Sequence, residues 1–180
     1  MSKAEHLNKT QIIRPEGVED YAAINRVNRL AFGQPSEGAV VDQIRENCQD
    51  VLSLVAQVSN EIVGHIFFSP AVIESNGSKL LGLGLAPLAV LPAFQNQGFG
   101  TRLVEAGLRQ IAATDCPYVI VLGHEQYYPR FGFERASIHA LSCQWPGVPD
   151  EAFMVKIFDE SKMSGVSGVA RYRSEFDQAM

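Results

Sequence analysis

Val90-Leu91-Pro92-Ala93-Phe94-Gln95-Asn96-Gln97-Gly98-Phe99-Gly100-Thr101 is the run on which the reading of this chain turns. Ahead of it, Leu80 to Val90 is apolar at nearly every position, the pattern of a central strand covered on both faces, and Pro92 ends it. Behind it, Leu103, Val104, Gly107, Leu108, Ile111 and Ala112 recur at helical spacing, with Arg102, Glu105, Arg109 and Gln110 turned outward. The run is therefore a strand handing over to an amphipathic helix. The first turn of a helix carries backbone N–H groups without internal partners, and the helix field adds about half a positive charge there. Such a terminus binds phosphate oxygens through main chain, with no need for lysine. Gly98 and Gly100 remove two β-carbons where a ligand approaches those amides, and Thr101 adds a hydroxyl. The plainer alternative is that the two glycines only permit a tight loop.

Working outward, Asp115-Cys116-Pro117 stops the helix and Tyr118 to Leu122 reads as a short buried strand. Residues 80 to 122 then make a strand, crossover helix and strand, which pair parallel with a right-handed connection. Upstream, Ile24, Val27, Leu30 and Ala31 give one helix ending near Gly33. Ser36 is placed to cap a second, with Val40, Ile44 and Cys48 inward and Asp42, Arg45 and Glu46 in solvent. Val51 to Val58 and Glu61 to Phe68 read as a hairpin about Ser59-Asn60, and Asn76-Gly77 marks another turn. Downstream, Ile138 to Gln144 and Ala152 to Phe158 suggest a final hairpin, leaving Gly165 to Met180 as an extended arm.

Composition sets the outer limits. The 180 residues, 46% hydrophobic and 19% charged, suffice for one core of ordinary size. A formal charge of -5 provides no global positive field for nucleic acid or an anionic membrane. No stretch approaches the roughly 18 apolar residues of a membrane span. Met1 to Gln11 is polar and lacks the apolar core of a signal peptide. Cys48, Cys116 and Cys143 fit no metal or paired spacing and read as scattered thiols of a reducing, cytoplasmic chain. A Walker loop is excluded because no lysine stands between Lys79 and Lys156. Gly82-Leu83-Gly84 lies inside a strand and precedes Pro87, not a helix, so it reads as strand packing and not as a dinucleotide fingerprint.

The sequence resembles the GNAT superfamily of acyl-coenzyme A-dependent N-acyltransferases. The pyrophosphate loop of that superfamily, Gln/Arg-x-x-Gly-x-Gly/Ala after a strand often ending Val-x-Pro, is matched by Gln95-Asn96-Gln97-Gly98-Phe99-Gly100 after Val90-Leu91-Pro92. A second family element, Tyr-Tyr-x-x-x-Gly-Phe after a strand, is matched by Tyr127-Tyr128-Pro129-Arg130-Phe131-Gly132-Phe133. The combination also resembles one poorly characterised bacterial subgroup of the superfamily.

The resemblance implies an α/β fold: a single-domain, GNAT-like mixed sheet with flanking helices and a splayed cofactor cleft. It implies a core over residues 12–158, after a flexible N-terminus at 1–11 and before a C-terminal arm at 159–180. Acetyl-CoA would be cosubstrate and CoA product, with no metal. Leu88, Ala89 and Val90 would border the pantetheine beside a bulge in the central strand, and Gln95, Asn96, Gln97, Gly98, Phe99, Gly100 and Thr101 the diphosphate. Tyr128 would be the general acid toward sulfur, with packing of Tyr127 and Tyr128 as the plainer role. Glu74, Glu125, His65 and His124 are candidate bases, since the central strand has Gly84, Leu85 and Ala86 where some family members carry a glutamate. Val169 to Tyr172 would cover the acceptor side through Arg171 or Tyr172. The implied partner is a small-molecule or peptide amine, with no nucleic acid or membrane, and the chain a monomer or homodimer. A noncatalytic acyl-CoA-binding or sensor module is the alternative reading, and an interaction domain a third.

Overall fold

The computed structural model describes residues 10–75 and 77–179. In chain order these form β1 (Gln11–Pro15), α1 (Tyr21–Phe32), α2 (Ser36–Asn47), β2 (Leu52–Val58), β3 (Glu61–Ser75), β4 (Ser78–Val90), α3 (Phe99–Ile111), β5 (Tyr118–Leu122), β6 (Glu134–Arg135), β7 (Leu141–Cys143), β8 (Phe153–Ile157), α4 (Glu160–Met163) and β9 (Gly168–Arg171). The strands join in one mixed sheet with main path β1-β2-β3-β4-β5-β8-β6. Only β4–β5 and β7–β9 pair parallel. Side chains alternate along β5: Val119 and Val121 join one buried cluster with α3, and Tyr118 and Ile120 a second with α2. Helices thus cover both faces of the sheet. No helix among the described residues is long and apolar enough to cross a membrane.

Two irregularities in β4 position the cleft. On its β3 side the register jumps from Ile66↔Leu88 to Phe68↔Leu85, so three steps of β4 face two of β3 and the strand bulges at Ala86-Pro87. On its other side β4 pairs with β5 only at Leu83 to Leu85, against Val119 to Val121. Beyond Leu85 the two parallel strands part, and β4 runs on to Val90 without a β5 partner. This is the expected splay, and it opens at the carboxyl ends of parallel strands, where open α/β sheets hold ligands.

Several local expectations hold. α1 ends where Gly33 takes the left-handed conformation, φ 76°, and its amide donates to Arg29 O at 2.9 Å. The β2–β3 hairpin forms, and β4 and β5 pair parallel across α3. Gly82 and Gly84 do serve packing: a β-carbon at either would meet the ring of Tyr118 or Tyr172 at 2.6 Å.

Others are corrected. Pro35, not Ser36, occupies the cap position of α2, and the Ser36 hydroxyl donates to Glu37 at 2.9 Å. Arg45 is not in solvent. Its side chain is 8% exposed because Glu16 and Asp42 accept from it, at 2.8 Å and 2.7 Å. Ala112 is exposed at the end of α3. β4 is not covered on both faces along its length, for Leu81 is 69% exposed where no helix reaches. The Ile138–Gln144 and Ala152–Phe158 hairpin does not form: β8 pairs with β5 and β6, while β7 pairs with β9. β9 lies on the edge of β3 that β2 leaves free, with Val72 opposite Arg171. The backbone groups of Val72 to Glu74 therefore find partners in the last part of the chain. Of the N-terminal segment, residues 1–9 fall outside the described residues, as does Asn76, while Gln11 already belongs to β1.

Candidate active site

A cleft of about 990 Å³ starts at the parting of β4 and β5 and runs past the N-terminus of α3. Its phosphate-sized end is built from main chain. Gly98 is the cap residue of α3, with φ 82°, a conformation that costs most residues a kcal/mol or more and glycine almost nothing. A β-carbon there would point into open space, so its glycine answers to the turn and not to crowding. The first helical bond runs from Arg102 N–H to Gly98 O, at 3.0 Å. Among the described residues no hydrogen bond occupies the amides of Gly98, Phe99, Gly100 or Thr101. These orphan donors, added to the helix field, are the positive feature of the cleft floor.

Gly100 has a second reason to be glycine that the sequence did not suggest. A β-carbon there would stand 2.7 Å from the Tyr127 hydroxyl. Tyr127 in turn packs edge-on against Tyr128, at 5.1 Å between ring centroids, and beneath the Arg130 guanidinium, 4.0 Å away. The Tyr-Tyr element and the glycine loop, far apart in sequence, thus form one wall.

Of the residues expected here, Leu88, Val90, Gln95, Asn96, Gly98, Phe99, Gly100, Thr101 and Tyr128 line the cleft. Two do not. Ala89 is buried in the core beneath the strand, and the Gln97 side-chain amide donates back to Ala93 O at 2.9 Å, outside the cleft. Gln95 is held by a bond from its side-chain amide to Val90 O at 3.0 Å, which ties the loop to the end of β4.

Tyr128 is 7% exposed, edge-on to Phe133, and its ring fills the place a Gly123 β-carbon would take. Burial, with the neighbouring Tyr127 as a lesser cause, pushes its phenol well above the ordinary tyrosine value. It therefore keeps its proton at neutral pH, as an ordinary tyrosine does, and has that proton to donate. The packing role is met, and the residue also lines the cleft.

The four candidate bases separate. Glu74 pairs with Arg171 at 2.7 Å on β3, away from the cleft, and Arg171 leaves with it. Glu125 does not line the cleft. His65 is fully buried between Asn28 and Ser53, at 3.1 Å and 3.0 Å. The Ser53 hydroxyl donates to Glu16, so its oxygen accepts from His65 Nε2–H, and Nδ1 accepts from the Asn28 amide. That makes His65 a satisfied structural histidine, and only His124 of the four lines the cleft. Of the Val169–Tyr172 segment, Tyr172 lines the cleft, and its hydroxyl accepts from Leu122 N–H at 3.0 Å.

Phe32, at the start of the loop to Pro35 that the sequence offers as a substrate rim or a turn, lines the cleft too; sequence reasoning missed Glu37, Trp145 and Phe176. No local motif marks them. They meet only because the C-terminal turn packs on α2.

Comparison with known proteins agrees with this geometry. The sequence model of the acetyltransferase (GNAT) domain matches residues 49–135. The uncharacterized N-acetyltransferase YhbS of Escherichia coli K12 is 34% identical over 93% of this chain and 99% of its own length. The uncharacterized N-acetyltransferase YjhQ of the same organism is 39% identical over 64% of this chain and 65% of its own. Among solved structures, YhbS in complex with CoA superposes with a TM-score of 0.84 at 33% identity, covering 94% of this chain and 93% of that one. A GNAT family acetyltransferase from Brucella melitensis in complex with acetyl-CoA gives 0.75 at 32% identity, over 94% and 99%.

Proposed function

Because this chain belongs to the GNAT family of N-acetyltransferases, we propose that its cleft binds acetyl-CoA and passes the acetyl group to a primary amine. The observation that carries the cofactor assignment is the set of orphan amides from Gly98 to Thr101 at the mouth of α3, in a cleft opened by the splay of β4 from β5. A diphosphate satisfies those donors and the helix field together. The bulged end of β4, through Leu88 and Val90, borders the pantetheine arm.

Bound acetyl-CoA supplies a thioester, whose carbonyl carbon takes the nitrogen lone pair of a neutral amine as the carbon–sulfur bond breaks. Tyr128 donates its phenolic proton to the departing sulfur, and the nitrogen gives up its surplus proton to solvent or to His124, from which solvent returns a proton to the Tyr128 oxygen. What supports the donor role is position: Tyr128 lines the cleft, and its phenol is protonated at neutral pH as an ordinary tyrosine is. CoA then leaves as the thiol.

Titration calorimetry with CoA and acetyl-CoA, followed by measurement of amine-dependent thiol release, tests this reading. Saturable binding with stoichiometric release supports it. Binding without release across a broad amine panel would restore the sensor module, and no binding would remove the cofactor assignment.

A further inference from the structure

The cleft is electrically polarised along its length. Its cofactor end has the amides of α3 and the Arg130 guanidinium. The other end has one carboxylate, Glu37, in the first turn of α2. Glu37 accepts from two neutral donors, the Gln34 amide at 3.0 Å and the Ser36 hydroxyl at 2.9 Å. Among the described residues no Lys, Arg or His lies within ion-pair distance of it, whereas Glu16, Asp42, Glu74 and Glu175 each hold an arginine. Phe32 from the end of α1 and Trp145, Tyr172 and Phe176 from the C-terminal third line the same cleft, where the C-terminal turn packs on α2.

The polar tips of these rings are already spent. Trp145 Nε1–H donates to Asp177 at 2.9 Å, and the Tyr172 hydroxyl is held by Leu122 N–H, Leu85 O and Ile120 O. Trp145 stacks on Tyr172 at 5.5 Å, and Phe176 meets Tyr172 edge-on at 5.4 Å. The acceptor end therefore offers ring faces and one unpaired negative charge. Among the described residues, no Lys or Arg besides Arg130 lines the cleft to receive a carboxylate or phosphate, and no second carboxylate lines it to hold a polycation.

We infer that the acceptor is a monocationic amine with an aromatic or aliphatic body, whose ammonium group pairs with Glu37 as it enters and whose body lies against Phe32, Trp145 and Phe176. This rests on the acetyltransferase reading and narrows its acceptor. Charge selects for the ammonium and against anionic or zwitterionic amines, and the rings select for apolar surface. In the reaction the ammonium first releases one proton to solvent; the neutral nitrogen then bonds to the acetyl carbon, the carbon–sulfur bond breaks, sulfur takes the Tyr128 proton, and the second nitrogen proton returns through solvent to the Tyr128 oxygen, leaving the amide, the CoA thiol and a restored phenol.

The test compares 2-phenylethylamine and hexylamine with putrescine, spermidine, glycine and glutamate at saturating acetyl-CoA, with calorimetry of 2-phenylethylamine on the CoA-loaded protein. The expected result is kcat/KM for 2-phenylethylamine at least tenfold above putrescine and glycine. Glu37→Gln should raise its KM about tenfold while KM for acetyl-CoA stays within twofold. Preference for the polyamines or amino acids, or an unchanged KM in Glu37→Gln, would overturn the inference. So would CoA binding with no acetylation or binding of 2-phenylethylamine, which leaves the cofactor reading intact. Failure of wild-type protein to bind CoA would instead overturn the cofactor reading, and the inference with it.

Discussion

At the scale of single residues, Tyr128 and His65 show how burial sets opposite limits on two titrating groups. For Tyr128, replacement by Phe keeps the ring that fills the space beside Gly123 and Phe133 and removes only the donor. Tyr128→Phe should lower kcat by about 10²-fold, the lower range for a general acid, with CoA affinity by calorimetry nearly unchanged. Wild-type turnover in that variant would dismiss Tyr128 as the acid. For His65, burial first and the charge of Arg45 second depress the imidazole to about 3. The unfolded chain takes up a proton near 6.5 and the folded chain does not until about 3, so the stabilisation His65 brings is present above 6.5 and lost as pH falls toward 3. The slope approaches about 1.4 kcal/mol per pH unit, to a limit of roughly 5 kcal/mol. His65→Gln lacks this term. The stability gap between wild type and His65→Gln, from urea titrations, should therefore narrow from pH 6.5 to 4.5. A gap independent of pH would contradict the buried neutral imidazole.

At the scale of elements, the strand, loop and helix from Leu80 to Ile111 were legible because each signal is local: an apolar run, a proline stop, glycines and a helical stripe. The reason for Gly100 was not legible, since it depends on Tyr127, which reaches the loop from beyond β5. Gly100→Ala should displace the Tyr127 ring and weaken CoA binding about tenfold, roughly 1.4 kcal/mol. Combining it with Tyr127→Phe, which removes the clashing hydroxyl, should recover part of that loss. Equal losses in the single and double variants would show that the β-carbon itself blocks the ligand. The failed hairpin has a related cause: short apolar runs do not name their partners. β7 and β8 read as neighbours in sequence, but β5 and β9 offered free edges and took them.

At the scale of the whole molecule, the part of the cleft proposed for the cofactor is nearly contiguous in sequence and the part proposed for the acceptor is assembled from both halves of the chain. That is why the Gly98 loop could be read and Glu37 with Trp145 could not. Tyr172 joins the two ends, because its hydroxyl sits at the parting of β4 and β5. Tyr172→Phe leaves Leu122 N–H without that partner and should cost about 2 kcal/mol, lowering Tm by ~4–8 °C. An unchanged melting temperature would mean that the hydroxyl is not what fastens the C-terminal segment.

β9 also completes an edge laid down about a hundred residues earlier, Val72 against Arg171, and Ala179 stands on the cleft rim. On the ribosome, then, the loop proposed to hold the diphosphate emerges well before β9 and the turn carrying Phe176, which complete the part of the cleft proposed for the amine. A tag inserted directly after Ala179 would therefore start at the edge of the cleft.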